Sequence, residues 1–304
     1  MQRLHYIDRA KLLAMLMVVM VHVAGVMEVR GGGDFTLYTL LMACYMHIFI
    51  VCSGLVCSAR DKSLREIGDD CKKRSRRLLL PFVLFFVVTA WATSKSWYDS
   101  FFEYTKLGAW YLLVLWECYM LHYLFLLWRK VVKTLWSDIL FGVVVSVLLK
   151  VLYHVLPPVV SAGLSLEGLQ VYYPYFFAAV LLRDYQWAER LLQKRWLLPC
   201  GIVAAVGVFV AKYQYQIPFT AELCTITSTA VVFCASYALE QVPEHRLRVI
   251  DTLGQATMDI YLIHFMFLRI IPLERIHTYI HTYIRRRLSV KQHAWTCLCC
   301  CYRW

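Results

Sequence analysis

No glycine-rich nucleotide loop, no GxSxG, no HExxH and no repeat of about 20–50 residues occurs in this sequence. Hydrolase, P-loop and zinc-protease readings are excluded. Charge is scarce as well. Only 17% of the 304 residues are charged and 60% are hydrophobic, too apolar for a water-soluble fold. The 12 cysteines form no paired CxxC or His spacing, so neither a zinc site nor a disulfide framework is expected. Cys44, Cys52, Cys57, Cys118, Cys200, Cys224 and Cys234 lie in apolar runs, where a thiol packs as a small hydrophobe. The first apolar run is too long for a cleavable signal peptide and has no small-residue cleavage site after it. The first helix is expected to stay in the membrane.

What the chain does contain is a series of uncharged apolar stretches, each near the 17–25 residues or so that cross a bilayer. They lie near 12–29, 35–57, 78–94, 108–128, 139–156, 169–182, 196–212, 220–240 and 253–273. The expected fold is all-α, a polytopic transmembrane bundle of about nine to ten helices, leaving no room for a soluble domain.

The net charge of +12 is explained by distribution rather than by nucleic acid, which is not an expected partner. With the N-terminus placed in the cytoplasm, alternate loops hold 20 Lys/Arg on that side and 4 on the other. This is the positive-inside asymmetry of a multi-pass membrane protein, and a cell membrane, a bacterial inner membrane, is the expected location. The tail breaks the pattern: Arg275, Arg285, Arg286, Arg287, Lys291 and Arg303 follow a ninth span and should then lie outside. The division expected is a transmembrane domain over 1–274 and an atypical basic, Cys-rich tail over 275–304, from truncation or an altered reading frame. In that tail Cys297, Cys299, Cys300 and Cys301 show no metal-ligand spacing, and no metal is expected.

Polar groups inside the spans are the candidates for chemistry, because each raises the cost of insertion. "IDRAKLLAMLMVVMVH" places Asp8 and Lys11 before an apolar run that ends on His22. Eleven residues of helix bring Lys11 and His22 to one face about 16 Å apart, Lys11 at the cytoplasmic edge and His22 well inside. Asp8, three residues before Lys11, is placed to pair with it. "MHIFIVCSG" at 46–54 adds His47 and a Ser53-Gly54 step suited to close helix packing. "CKKRSRRLLLPF" sets Arg74 and Arg77 one turn apart at the entrance of the third span, where they suit either membrane anchoring or phosphates. Glu117 is a buried acid that needs a partner. "LGQATMDIYLIH" carries Asp259, Tyr261 and His264, the last two being neighbours on one helix face.

Taken in order, these stretches resemble the membrane-bound acyltransferase-3 family, and most closely its fucose 4-O-acetylase-like branch. That family begins with a "D..R/K..........H" helix, followed by a "MPLFFFISG"-like helix, an "R..R...P" entry, a "WFL" helix and a late "IYLLH". Asp8, Lys11 and His22; "MHIFIVCSG"; Arg74, Arg77 and Pro81; "WYLLVL" at 110–115; and "IYLIH" at 260–264 match over roughly residues 5–270. Lys11 stands where many members have arginine, His47 where proline is usual and Tyr111 where phenylalanine is common. The family has ten helices, so one is missing here, in keeping with the basic tail.

The resemblance implies transfer of an acyl group, most simply acetyl from acetyl-CoA, to a hydroxyl of a cell-surface glycan or its lipid-linked precursor. His22 is the expected base, supported by Asp8 and Glu117. The donor's phosphates are expected at Lys11, Arg74 and Arg77, and the acceptor near Trp110, Tyr261 and His264. A transporter or flippase for a glycan-related substrate is the alternative.

Overall fold

The computed structural model describes residues 4–28, 41–42, 44–57, 62–215, 217 and 219–270. The tail over 275–304 lies outside the described residues. Among the described residues the chain is all helix: α1 (His5–Glu28), α2 (Tyr45–Leu55), α3 (Leu64–Ala92), α4 (Trp97–Phe101), α5 (Trp110–Arg129), α6 (Leu135–Val155), α7 (Pro158–Gly163), α8 (Leu166–Asp184), α9 (Trp187–Leu192), α10 (Leu197–Tyr215), α11 (Thr220–Ala238), α12 (Glu244–Gln255) and α13 (Thr257–Ile270), with two short 3₁₀ turns. Helices satisfy their own backbone groups, which is what an apolar surrounding demands.

Among the described residues four helical stretches, Leu64–Ala92, Trp110–Arg129, Leu135–Val155 and Thr220–Gln241, are long and apolar enough to cross a membrane. Their outward faces are apolar: Val83, Leu84 and Val87 on α3, and Val143, Val144, Val147 and Val151 on α6, are all exposed. Contiguous exposed apolar surface on this scale belongs against lipid rather than water.

Several boundaries differ from the sequence-based expectation. Helix α3 starts fourteen residues earlier than the expected span at 78, because a Ser63 capping box with Glu66 nucleates a polar first half. Arg74, Arg77 and Pro81 therefore stand within one continuous helix rather than at a span entrance. The last expected span divides at Ala256 into the polar helix α12 and the apolar helix α13.

α1 sits at the hub, packed against α2, α11, α12 and α13, while α5 packs against α3, α6 and α8. Two glycines permit the closest approaches. A Cβ on Gly54 of α2 would lie 2.4 Å from the Phe176 carbonyl oxygen of α8, and one on Gly254 of α12 would lie 2.3 Å from that of Asp8. Gly54→Ala is expected to cost about 1–3 kcal/mol through forced separation of α2 and α8, read as a lower unfolding temperature in detergent. At the other end of α5, Arg129 joins three elements, pairing with Asp138 of α6 at 2.9 Å and Asp184 of α8 at 3.0 Å.

Candidate active site

Where α1, α2, α3, α5 and α13 converge they leave a cavity of about 190 Å³. Three cations line it, Lys11 from α1 and Arg74 and Arg77 from α3, together with Ser53, Gln255, Thr257 and the rings of Tyr111, Tyr119 and Tyr261. Arg74 and Arg77 are there because they are three residues apart on α3 and so share a face. The Arg74 guanidinium lies 4.0 Å from the centre of the Tyr119 ring, a cation–π contact that holds its plane. Lys11 has an ion pair with Asp8 at 3.7 Å, one helical turn before it. The three residues expected to meet phosphates are thus brought together by tertiary packing of two helices distant in sequence.

A second group lies further along α1. The His22 ring meets the His264 ring edge-on, with centroids 5.3 Å apart. The His22 Nδ1 lies 2.7 Å from the Val18 carbonyl oxygen. A carbonyl only accepts, so Nδ1 carries the proton and donates it, which leaves the lone pair on Nε2. Tyr261 links this pair to the cavity. Its ring is on the cavity wall and lies 5.6 Å from the His264 ring, and its hydroxyl donates to the Gly108 carbonyl at 2.7 Å.

The remaining expected residues lie elsewhere. Glu117 is on neither the cavity wall nor the ring contacts of His22 and His264; the charge acting on it is Lys106, and its Oε2 is buried without a hydrogen-bond partner among the described residues. Trp110 stands at the start of α5 and stacks with Tyr104 and Tyr172, centroids 5.5 and 5.6 Å away. Asp8 touches the site through Lys11 rather than on the wall.

Sequence reasoning missed Arg9. It is 2% exposed and grips Asp251 of α12 in a fork, Nε to Oδ1 at 2.9 Å and NH2 to Oδ2 at 3.3 Å, with His5 Nδ1 3.2 Å from the same carboxylate. This clamp seats α12, and with it Gln255, against the cavity mouth. The available signal was an amphipathic run at 244–255 in which Asp251 falls among the polar residues one turn after Leu247, on the side that the structure buries.

The arrangement provides a cation-lined recess and, along the same helix, an imidazole base beside a second imidazole. That combination suits binding an anionic donor at one end and removing a proton at the other. No curated protein and no solved structure matches the chain. A family model described as an acyltransferase domain matches residues 4–282, so that this bundle, with its apolar helices and its recess on the first helix, belongs to the acyltransferase-3 family.

Proposed function

We propose that this membrane acyltransferase is a multi-pass O-acyltransferase of a cell membrane, a bacterial inner membrane, with its N-terminus in the cytoplasm. It moves an acetyl or similar acyl group from acyl-CoA to a hydroxyl of a cell-surface glycan or a lipid-linked precursor. The observation that carries this reading is that α1 contributes Lys11 to the recess shared with Arg74 and Arg77 and His22 to the pair with His264, the two groups being joined through Tyr261.

The residues fit the donor. Arg74 and Arg77 present planar forks for phosphate oxygens, and Lys11 adds a point charge. At about 190 Å³ the recess is below the roughly 300–1,000 Å³ of pockets that enclose whole ligands, so it suits a segment of an extended molecule. When bound, acyl-CoA supplies an acyl group activated as a thioester. Asp8 orients the Lys11 ammonium, and Tyr261 walls the recess on the side of the histidines. A sugar hydroxyl is a poor nucleophile near neutral pH; His22 Nε2 takes its proton as the hydroxyl oxygen attacks the thioester carbonyl, and returns it to the departing thiolate as the carbon–sulfur bond breaks. His264 holds the His22 ring edge-on in position. The sugar hydroxyl as acceptor is supported by the resemblance to the fucose 4-O-acetylase-like branch.

The test is acetyl-CoA consumption and acetylated product, measured on the purified chain in detergent with a panel of glycan acceptors. Lys11→Ala and Arg74→Ala are each expected to raise the donor KM about tenfold or more, with kcat little changed, since a charged hydrogen bond contributes about 1.5–3 kcal/mol. An unchanged donor KM in both variants would remove the recess from donor binding.

A further inference from the structure

One buried cation that the proposed reaction leaves unused is Lys106. It lies in the segment between α4 and α5, is 0% exposed, and its Nζ donates to two carbonyls, Phe101 at 2.8 Å and Ala162 at 2.6 Å. Its ammonium also sits 5.0 Å from the centre of the Phe101 ring. The backbone here is unusual. Lys106, Leu107 and Gly108 are three consecutive residues with positive φ, at 42°, 56° and 94°. Two of these are not glycine, and a left-handed run of this kind persists only where its surroundings hold it. The turn is held by backbone bonds from Lys106 N–H to Glu103 and from Gly108 N–H to Thr105, by burial of Leu107 beside Phe86 and Ala90, and by the Lys106 ammonium, which ties it to α7 through Ala162 and to the end of α4 through Phe101.

The last residue of the run is Gly108, and its carbonyl receives the Tyr261 hydroxyl at 2.7 Å. Tyr261 in turn packs between Tyr111, at 5.5 Å between ring centres, and His264 at 5.6 Å. A continuous set of contacts therefore runs from Lys106 through the turn to Tyr261, His264 and His22.

We propose that Lys106 is a positioning residue for the acyl transfer. It fixes the left-handed turn so that the Gly108 carbonyl aims the Tyr261 ring between the donor recess and the His22–His264 pair. A buried ammonium is a costly group to keep, and its two carbonyl partners lie at the end of α4 and in α7. An apolar residue of the same length would fill the volume equally well if packing were its only role. The proposal rests on the reading of the recess and histidines given above.

Two measurements test it together. The first is the fluorine resonance of 3-fluorotyrosine placed at position 261, which reports the order of that ring whether or not the protein turns over. A single narrow line is expected in the otherwise native chain, and a shifted, broadened line in Lys106→Met. The second is steady-state kinetics. Lys106→Met and Tyr261→Phe should each lower kcat about 10- to 100-fold, because small misplacements at a reacting centre cost that much, and the donor KM should stay within about twofold. The double variant should lose no more than the worse single, since both act through one contact. If Lys106→Met fails to accumulate, Lys106→Gln, which retains N–H donors but not the charge or the reach, is read in the same way. An unmoved resonance, or losses that multiply in the double variant, overturns the proposal. Absence of turnover in the native chain with every acceptor would instead count against the proposed reaction, while the resonance would still decide whether Lys106 places Tyr261.

Discussion

Replacing His22 with alanine is expected to lower kcat for acyl transfer by about 10²- to 10⁴-fold, the usual contribution of a positioned general base, with the donor KM within about twofold. The split follows from geometry. His22 is absent from the wall of the cation-lined recess, and eleven residues of α1 separate it from Lys11, about 16 Å along the axis. In the proposed reaction donor affinity resides at one end of the helix and proton removal at the other. The Val18 carbonyl fixes the proton on Nδ1, so a variant that moves this bond leaves the wrong nitrogen facing the acceptor. His22→Gln keeps a polar side chain but has no basic nitrogen, and should be as inactive as alanine. Turnover is measured on protein of equal amount and monodispersity; activity within about threefold of native in both variants would assign the base to another group.

Arg9→Met is expected to destabilise the protein by about 3–5 kcal/mol, the effect of stranding one member of a buried ion pair. The Arg9 fork on Asp251 ties α1 to α12, and removing it leaves a carboxylate that is 7% exposed with the His5 imidazole beside it. The double variant Arg9→Met/Asp251→Leu should recover most of the loss, because no charge is then left in an apolar place. Acid should act in the same direction. Burial works to raise the Asp251 pKa, but the hydrogen bond and charge of Arg9, then His5, outweigh it and hold the carboxyl below its usual range. Unfolded, the group titrates near 4, so the stabilisation is complete above about pH 4 and is lost as pH falls through the lowered folded value. Unfolding temperatures in detergent between pH 7 and 3 should show an acid loss in the native chain that the double variant lacks. A double variant no more stable than Arg9→Met alone would mean that α12 depends on this pair for more than charge balance.

The all-helical class followed from composition, since long uncharged stretches leave the backbone no other way to satisfy its hydrogen bonds in lipid. The boundaries did not follow equally well. Ser63 and Glu66 start α3 well before its apolar half, and Ala256 divides what reads as one apolar run, because capping and amphipathic seating act on polar residues that a hydropathy window averages away. Lys11 and His22 were legible as a pair because both stand on one helix, where a period of 3.6 residues fixes which side chains share a face. Arg74 and Arg77 were legible as neighbours for the same reason.

What only the tertiary structure decided is every relation between helices. Lys11 meets Arg74 and Arg77 across about sixty residues, His22 meets His264 across 242, and Tyr261 meets the Gly108 carbonyl across 153. Arg9 reads as one more basic residue at a membrane edge until Asp251 is found in its fork. Glu117, a further catalytic candidate in sequence, stands apart from both groups. Local periodicity sets the direction in which a side chain leaves its helix. Which partner it finds is set by how the helices pack, through close approaches such as Gly54 and Gly254 that depend on atoms far away in the chain.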